Sequence, residues 1–317
     1  MAAKVTVVGS INMDLVTRVT NFPGPGETII GGDLKTIPGG KGANQAVAAA
    51  RLGAEVSMVG RVGDDVFAAQ LKENLASAGV DLTYVFDSDS AASGVALILV
   101  DKHGQNIIVV ASGANAQVTE EDVEAAAAAI ITADVLLLQL EIPLESVHRA
   151  AELAHENGVK VILNPAPAQT LPAELLSLID ILVPNESETS ILTGLPADSL
   201  KDLEASAGKL RSLGAGTILL TLGQQGALLV EPADLRRYPA FTMEQVVDTT
   251  AAGDAFVGGL AMAIAEGKRV SEAVPWGNAA GALAVTRSGA QPSLPSRGEV
   301  EELLERATAG QIQGVNS

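Results

Sequence analysis

Short aliphatic runs alternate along this chain with longer segments that have helical spacing. The first run, Val5-Thr6-Val7-Val8-Gly9, predicts a buried strand. Further runs of the same kind lie at 56–60, 135–140, 159–163, 181–183 and 217–220. Helical segments are predicted at about 65–78, 144–157, 199–213, 271–285 and 298–307. Continuous aliphatic strands separated by helices predict an α/β fold with a parallel sheet that is covered on both faces.

Two parts of the chain have strand-like segments and no helix. Residues 15–38 contain Pro23-Gly24-Pro25-Gly26 and a short β-like piece, Glu27-Thr28-Ile29-Ile30. Residues 94–100 and 106–111 flank Asp101-Lys102-His103-Gly104, and this pattern predicts a β-hairpin. We expect the two parts to pair with each other as a small accessory sheet.

A helix is predicted to begin within Asp248-Thr249-Thr250-Ala251-Ala252-Gly253-Asp254. Residues 246–247 resemble the apolar end of an extended segment, and helical spacing runs from Phe256 to Gly267. Residues 249–253 would then lie at a helix N-terminus, where free N–H groups and small side chains suit an anion. Asp254 would lie beside that anion, a layout that suits activation of a hydroxyl during phosphoryl transfer. An ordinary helix cap explains the same residues, with Asp254 complementing the helix dipole.

A glycine-rich motif, Gly39-Gly40-Lys41-Gly42-Ala43-Asn44-Gln45-Ala46, opens a second helix, which ends near Gly53. Lys41 and Asn44 are three residues apart and would share one face near the helix N-terminus. The motif is not a Walker A loop, because no G-x-x-x-x-G-K-[ST] occurs in the chain. Three glycines and two amides favour a ligand site over a simple helix start.

Polar residues collect at one edge of the predicted sheet. Each follows a predicted strand at its carboxyl end, where ligands bind in open α/β sheets: Asn12, Asp14, Arg61, Glu141, Asn164, Asn185, Thr221 and Asp248. A purely structural set of polar residues has no reason to select one edge, so the pattern favours an active site. Asn12 and Asp14 would point to the same face of an extended segment, as a pair that binds hydroxyls or as a simple turn. Thr119 and Asp122, in contrast, match a capping box before an alanine-rich helix.

Composition and charge exclude several classes of function. The chain has no cysteine, which excludes disulfides, thiolate nucleophiles and cysteine-bound metals. Its formal net charge of −18 argues against nucleic acid as a partner. No G-x-G-x-x-G follows the first strand and no G-x-S-x-G occurs, which disfavours a dinucleotide site and a hydrolase. The chain shows no long apolar segment, so we expect a cytoplasmic protein without membrane association.

The two glycine-containing motifs resemble the signatures of the ribokinase-like (PfkB) family of carbohydrate and nucleoside kinases. The resemblance runs from Gly9-Ser10-Ile11-Asn12-Met13-Asp14 to Gln291-Pro292-Ser293, and 39–46 looks like the ribose-specific branch of the family. The common family pattern has glycine where this chain has Ala251, a change that many such sequences share. The resemblance implies a three-layer α/β/α sandwich with a mostly parallel central sheet. It also implies that 1–317 is a single kinase domain, in which the inserts at about 11–38 and 92–111 form a β-sheet lid.

The resemblance also implies a role for each matching position. Asp254 would be the base, and the N–H groups of Ala251, Ala252 and Gly253 would form the anion hole. The sugar would be bound by Asn12, Asp14, Gly40, Lys41, Asn44 and Glu141, together with Asp254. The nucleotide would be held by Asn185, Thr221, Gly223, Gly226, Gly253 and Asn278. A monovalent cation would be surrounded by Asp248, Thr250, Ala284, Arg287, Gly289 and Ser293. Glu188 would organise magnesium through water.

The implied activity is phosphorylation of D-ribose at its 5-hydroxyl by ATP, with Mg²⁺ and K⁺, in a homodimer formed through the lid. Two alternatives stay open at this point. One is a kinase for another small sugar or a nucleoside, such as deoxyribose, and the other is a sugar or nucleotide sensor without turnover. Asp254 weighs against the sensor, which has no need of a base.

Overall fold

The computed structural model describes residues 2–231 and 234–310. Its strands are β1 (Lys4–Val8), β2 (Asn12–Arg18), β3 (Lys35–Gly39), β4 (Glu55–Gly63), β5 (Val80–Ser88), β6 (Gly94–Val100), β7 (Asn106–Ala111), β8 (Val135–Leu138), β9 (Lys160–Leu163), β10 (Ile181–Leu182), β11 (Thr217–Thr221), β12 (Ala227–Val230) and β13 (Leu235–Tyr238). Its helices are α1 (Lys41–Arg51), α2 (Val66–Ser77), α3 (Glu120–Ala125), α4 (Ala127–Ile131), α5 (Leu144–Glu156), α6 (Ala173–Leu176), α7 (Glu186–Thr193), α8 (Leu200–Ser212), α9 (Ala252–Ala265), α10 (Val270–Ala284) and α11 (Arg297–Thr308).

The larger sheet contains nine described strands in the order β13-β12-β11-β10-β9-β8-β1-β4-β5. The pairs from β11 through β10, β9, β8, β1 and β4 to β5 are all parallel. β12 and β13 extend one edge in antiparallel pairing. The predicted α/β class with a mostly parallel sheet is therefore confirmed.

Helices cover both faces of this sheet, because its central strands are apolar on both sides. In β8, Val135 and Leu137 belong to one buried cluster, while Leu136 and Leu138 belong to another. The first cluster contains residues of α1, α2, α9, α10 and α11, and the second contains residues of α3, α5, α6 and α8. The predicted three-layer arrangement is thus present.

The second sheet has four described strands in the order β3-β2-β6-β7. β2 pairs antiparallel with β3 and parallel with β6, so the two helix-free parts of the chain do form one small sheet. The piece at 27–30 is not a strand; it belongs to the irregular segment that joins β2 to β3. All six residues of β7 are exposed, so neither face of this strand is covered by the described chain.

Several local predictions are wrong in instructive ways. Residues 246–247 belong to no strand, and Asp248 lies in an irregular segment held to α10 by backbone hydrogen bonds to the carbonyl of Val285. Asn12 and Asp14 lie in β2 of the small sheet, on an extended segment as predicted, and not in a loop directly after β1. Arg61 lies within β4, and its guanidinium binds Asp122 at 2.6 Å.

The capping box of Thr119 and Asp122 is present, but two helices follow it in place of one. Residue 126 separates α3 from α4. No helix in the described ranges is both long and apolar enough to cross a membrane.

Candidate functional site

The N-terminus of α9 lies at the carboxyl edge of the large sheet. The helix begins at Ala252, so residues 249–253 occupy its first turn and the loop before it, as predicted. Gly253 is exposed, and a Cβ built on it would have no neighbour within 4 Å. The N–H of Ala252 donates to the carbonyl of Thr249 at 3.3 Å. At Gly253 the turn faces open space that an anion can enter.

Asp254 lies behind this turn and is almost fully buried, with 6% of its surface exposed. Its Oδ2 accepts a hydrogen bond from Asn44 Nδ2 at 2.9 Å, and its Oδ1 accepts one from Gln45 Nε2 at 3.1 Å. Both donors come from the first turns of α1. The two glycine-containing motifs, which are 200 residues apart in the chain, thus meet at one carboxylate.

Glu141 organises the neighbouring polar side chains from the loop after β8. Its Oε2 accepts hydrogen bonds from Ser10 Oγ at 2.5 Å and from Asn12 Nδ2 at 3.3 Å. It also accepts one at 3.4 Å from the backbone N–H of Lys41. Asn115 Nδ2 donates to Asn12 Oδ1 at 2.6 Å and holds that side chain in place.

Backbone glycines leave room for this cluster. A Cβ on Gly39 would lie 2.4 Å from an oxygen of Asp14, so glycine makes space for that carboxyl group. Gly40 has φ of 88°, and a Cβ there would lie 2.6 Å from the backbone nitrogen of Asn12. The glycine motif therefore lets the N-terminus of α1 approach β2 closely.

The cluster is strongly charged for a site so deep in the protein. Burial, with further contributions from Glu141 and Asp254, raises the pKa of Asp14 to about 7. Burial lowers the pKa of Lys41, but the carboxylates of Asp254, Glu141 and Glu188 outweigh it, and the net shift is upward. Lys41 is therefore the positive charge that the acidic pocket surrounds.

Two cavities meet at the start of α9. The smaller has a volume of about 230 Å³ and is lined by Lys41, Asn164, Asn185, Glu188, Gly253 and Asp254, among others. The larger has a volume of about 720 Å³ and is lined in part by Asn185, Thr221, Gly223, Gly226, Gly253 and Asn278. Gly253 borders both, so the turn at the start of α9 lies between the two compartments.

Asn185 and Glu188 form a reciprocal capping box at the start of α7. Asn185 Oδ1 accepts from the backbone N–H of Glu188, and Glu188 Oε2 accepts from the backbone N–H of Asn185, both at 2.8 Å. Burial raises the pKa of Glu188, although the hydrogen bond from Asn185 and the charge of Lys41 partly offset it. The second carboxylate oxygen of Glu188 accepts no hydrogen bond from the described residues, and the side chain lines the smaller cavity.

Asp248 joins two loops beside the turn at the start of α9. Its Oδ1 accepts from the Thr250 hydroxyl at 2.5 Å, and its Oδ2 accepts from the N–H of Gly289 at 2.9 Å. Burial opposes these hydrogen bonds, but they lower the pKa of Asp248 overall. Ser293 is buried nearby and donates to the carbonyl of Ala290 at 2.8 Å. The side chain of Arg287 forms an ion pair with Glu299.

The predicted sugar-binding and nucleotide-binding residues thus come together around one turn. Sequence reasoning did not assign roles to Ser10, Gln45 or Asn115, which hold the predicted residues in place. Gln45 lies within the motif at 39–46 and Ser10 within the stretch at 9–14, but Asn115 follows the hairpin and no pattern marks it. Arg61 is not part of the site. In the described part of the chain, no group of three or more histidine, aspartate or glutamate side chains is arranged to hold a metal ion.

Comparison with known proteins agrees with this arrangement. The sequence model of the pfkB family carbohydrate kinases matches residues 2–297. A ribokinase of Haemophilus influenzae is 46% identical over 307 residues, which are 97% of this chain and 100% of that protein. A deoxyribokinase of Salmonella typhi is 40% identical over 301 residues, which are 95% of this chain and 98% of the relative.

A solved structure gives the same result. The structure of Arabidopsis thaliana ribokinase complexed with ribose and ATP is 36% identical, with a TM-score of 0.89. The match covers 96% of this chain and 99% of that one. The chain belongs to the pfkB family of carbohydrate kinases.

Proposed function

We propose that this protein transfers the γ-phosphoryl group of ATP to the 5-hydroxyl of D-ribose and releases D-ribose 5-phosphate and ADP. The observation that carries the proposal is the position of Asp254 and Gly253. Both line the smaller, polar cavity, and Gly253 also borders the larger one. A buried carboxylate and an anion-binding turn therefore lie where a sugar and a nucleotide would meet. The ribokinase relatives and the structure with bound ribose and ATP support the choice of substrates.

In this mechanism Asp254 accepts the proton of the 5-hydroxyl as that oxygen attacks the γ-phosphorus. The bond from the γ-phosphorus to the β,γ-bridging oxygen breaks, and the electron pair goes to ADP. Phosphoryl transfer depends mainly on positioning and on neutralising charge on the phosphoryl oxygens. The N–H groups of Ala251, Ala252 and Gly253 would supply donors for that charge, with Ala252 exchanging its 3.3 Å hydrogen bond to the carbonyl of Thr249 for one to the phosphoryl group. Lys41 would add a positive charge close by.

The remaining hydroxyls of ribose would be bound by the cluster around Glu141. Carboxylate oxygens accept and amide groups both accept and donate, so together they can match adjacent hydroxyls of a sugar. Asn44 is suited to this role, because its Oδ1 is buried and has no partner among the described residues. A sugar hydroxyl would satisfy that oxygen. Asn12, Asp14 and Gly40 complete the predicted set.

The nucleotide would occupy the larger cavity. Its walls combine apolar side chains, such as Phe241 and Val285, with the backbone of the turn after β11, which includes Gly223 and Gly226. Asn278 lies deep in the wall, where its Nδ2 donates to the carbonyl of Pro239 at 3.2 Å. Asn185 and Thr221 line the side that faces the smaller cavity.

Magnesium would be held through water by Glu188. Glu188 fits this role, because only one of its oxygens is used in the capping box and the other is available to a metal-bound water. When bound, magnesium neutralises charge on the phosphates.

Potassium would lie in the loop that Asp248 holds together. The carboxylate links the segment of Thr250 to that of Gly289. In the predicted set, backbone oxygens of these segments would make most of the contacts to the ion. Ala284, Arg287 and Ser293 complete the predicted set. Such an ion would order the anion-binding turn without contacting the substrate.

We also propose that 1–317 acts as one kinase domain and that its small sheet is a lid through which two chains associate. The support is the apolar surface of this sheet. Leu97, Ile107 and Val109 are 49%, 45% and 56% exposed and share one face of the sheet. A large exposed apolar patch commonly marks an interface. A cytoplasmic location stays a prediction.

The proposed function is tested by ATP consumption with a panel of sugars and nucleosides, each with magnesium and with or without potassium. We expect turnover with ribose that potassium raises. Preference for another acceptor, such as deoxyribose, would contradict the proposed substrate but keep the phosphoryl-transfer site. Ribose binding without any turnover would support the sensor.

Replacing Asp14 by asparagine tests its effects on ribose binding and on stability separately. We expect Asp14→Asn to raise the ribose KM about tenfold, since a hydrogen bond to a charged group contributes about 1.5–3 kcal/mol. The native carboxyl group has a pKa of about 7, so between pH 4 and pH 7 the folded protein binds more protons than the unfolded chain. Stability therefore falls as pH rises through this window. Asparagine does not titrate, so the variant lacks this effect. The Tm of Asp14→Asn minus the Tm of the wild type should therefore be larger at pH 8 than at pH 5.

The matched control is Asp64→Asn at an exposed position, which should change neither KM nor the pH dependence of Tm. Thermal unfolding at the two pH values and ribose kinetics measure the two effects separately. Equal Tm differences at pH 5 and pH 8 would show that Asp14 is not the group responsible.

A further inference from the structure

Gln45 reaches the catalytic carboxylate from a position that no substrate can touch. The residue is 0% exposed, on the side of α1 that faces α9. Its Nε2 donates to Asp254 Oδ1 and to Asn164 Oδ1, both at 3.1 Å. Both amide hydrogens of Gln45 are therefore used, and one of them fixes the proposed base.

The orientation of this amide is set by its neighbours. Gln139 Nε2 donates to Gln45 Oε1 at 2.7 Å, so the oxygen of Gln45 must face Gln139. Asn164 Nδ2 donates to the carbonyl of Val183 at 3.0 Å, so the oxygen of Asn164 must face Gln45. A chain of amides with a single consistent direction thus ends at Asp254 Oδ1, which is held as an acceptor.

Close packing of two helices allows the contact. A Cβ on Gly258 of α9 would lie 2.5 Å from the Cβ of Ala48 and 3.0 Å from the carbonyl oxygen of Gln45. Glycine at this position brings α1 and α9 together, so the side chain of Gln45 spans the gap to Asp254. A larger residue would separate the base from its donor.

The two amides that donate to Asp254, those of Asn44 and Gln45, differ in their other hydrogen bonds. Asn44 holds Oδ2, and its own oxygen is buried without a partner among the described residues, so it is available to the sugar. Gln45 has every amide atom engaged by protein, so its hold on Oδ1 does not depend on ligand.

We propose that Gln45 is a positioning residue for phosphoryl transfer, which acts through Asp254 by fixing the carboxylate's rotation and keeping it an acceptor. This inference rests on the proposed function, because it assumes that Asp254 takes the proton. Rotation of the carboxylate would move the accepting oxygen away from the attacking hydroxyl. A misplacement of about 1 Å near a reacting centre can lower a rate by about 100-fold.

The test compares Gln45→Met and Gln45→Glu with the wild type in ribose and ATP kinetics. Gln45→Met keeps the volume and removes the donors, and we expect kcat to fall about 10- to 100-fold while the ribose KM changes less than about threefold. Gln45→Glu places a second carboxyl group at the same distance from Asp254. Two carboxylates so close share one proton, so the acid limb of the pH–rate profile should move to higher pH.

Other titratable side chains also face Asp254 and contribute to the pH–rate profile. They are Asp14, Lys41 and Glu188. None is altered in the two variants, so a shift that appears only in Gln45→Glu comes from the new carboxyl group. Gln70→Glu on the exposed surface of α2 adds the same charge far from the site and should leave the profile unchanged.

A purely structural role would give a different result. In that case Gln45→Met would lower Tm and the yield of folded protein, but the folded fraction, counted by ATP binding, would turn over at the wild-type kcat. That outcome, or an unshifted profile for Gln45→Glu, would overturn the inference. If the wild type phosphorylates a sugar other than ribose, the proposed substrate is wrong, and the same variants on that sugar still decide the role of Gln45. A wild type with no sugar kinase activity would overturn both.

Discussion

Replacing Asp254 by asparagine is expected to lower kcat for ribose phosphorylation by about 10²- to 10⁴-fold, the usual contribution of a general base. An amide cannot accept the proton of the 5-hydroxyl. Its NH₂ group would also face one of the two amide donors that now bind the carboxylate, Asn44 Nδ2 or Gln45 Nε2. The loss should fall on the chemical step, because most of the hydroxyl-binding groups are unchanged.

Calorimetry with ribose measures binding, and steady-state ATP consumption measures kcat. We expect the ribose Kd of Asp254→Asn to stay within about tenfold of the wild type, which corresponds to about 1.4 kcal/mol. Asp64→Asn, at an exposed position, serves as the control for the loss of one carboxylate. A variant that turned over at the wild-type rate would show that Asp254 is not the base.

The second large effect is expected from Gly40→Ala. The new Cβ would lie 2.6 Å from the backbone nitrogen of Asn12 and 2.9 Å from the carbonyl oxygen of Ser10. Neither is the end of a flexible side chain, so the backbone of β2 or of α1 must move. The positive φ of 88° adds strain for any residue with a Cβ. Together these should lower the free energy of unfolding by about 2–4 kcal/mol and raise the ribose Kd at least about tenfold.

Gly158→Ala separates the two causes. Gly158 follows α5 and has φ of 73°, but a Cβ there has nothing within 4 Å. It should show the backbone strain alone, as a loss of about 1 kcal/mol in denaturant unfolding with unchanged ribose binding. If Gly40→Ala behaved like Gly158→Ala in both measurements, close contact between α1 and β2 would not be needed to bind sugar.

The sheet and most helices could be predicted because their signals are local. Aliphatic runs bounded by glycine gave the central strands, and capping residues such as Thr119 marked helix starts that the structure contains. Asp248 was placed wrongly because two valines before a polar residue look the same in a strand and in an exposed loop. Val246 and Val247 are in fact 52% and 48% exposed, and hydrogen bonds to α10 hold this segment.

The candidate site likewise combines motifs that the local sequence reveals with contacts between distant residues that it does not. Its two motifs could be found separately, since each has an unusual run of small residues beside a polar one. Their meeting at Asp254 depends on the packing of α1 against α9, which involves residues more than 200 positions apart. Asn115 could not be found at all, because its partner Asn12 is 103 residues away and its surrounding sequence is ordinary. Arg61 was misread for the opposite reason: it follows an aliphatic run, but tertiary structure gives it Asp122 as a partner.

The exposed edge strand β7 makes the chain prone to aggregation. Asn106-Ile107-Ile108-Val109-Val110-Ala111 carries no charge, no proline and no glycine, and its outer edge offers unpaired backbone groups. Segments of this composition are prone to stack into cross-β aggregates. Nothing in the described chain shields this strand, so it is an aggregation hazard wherever it stays uncovered.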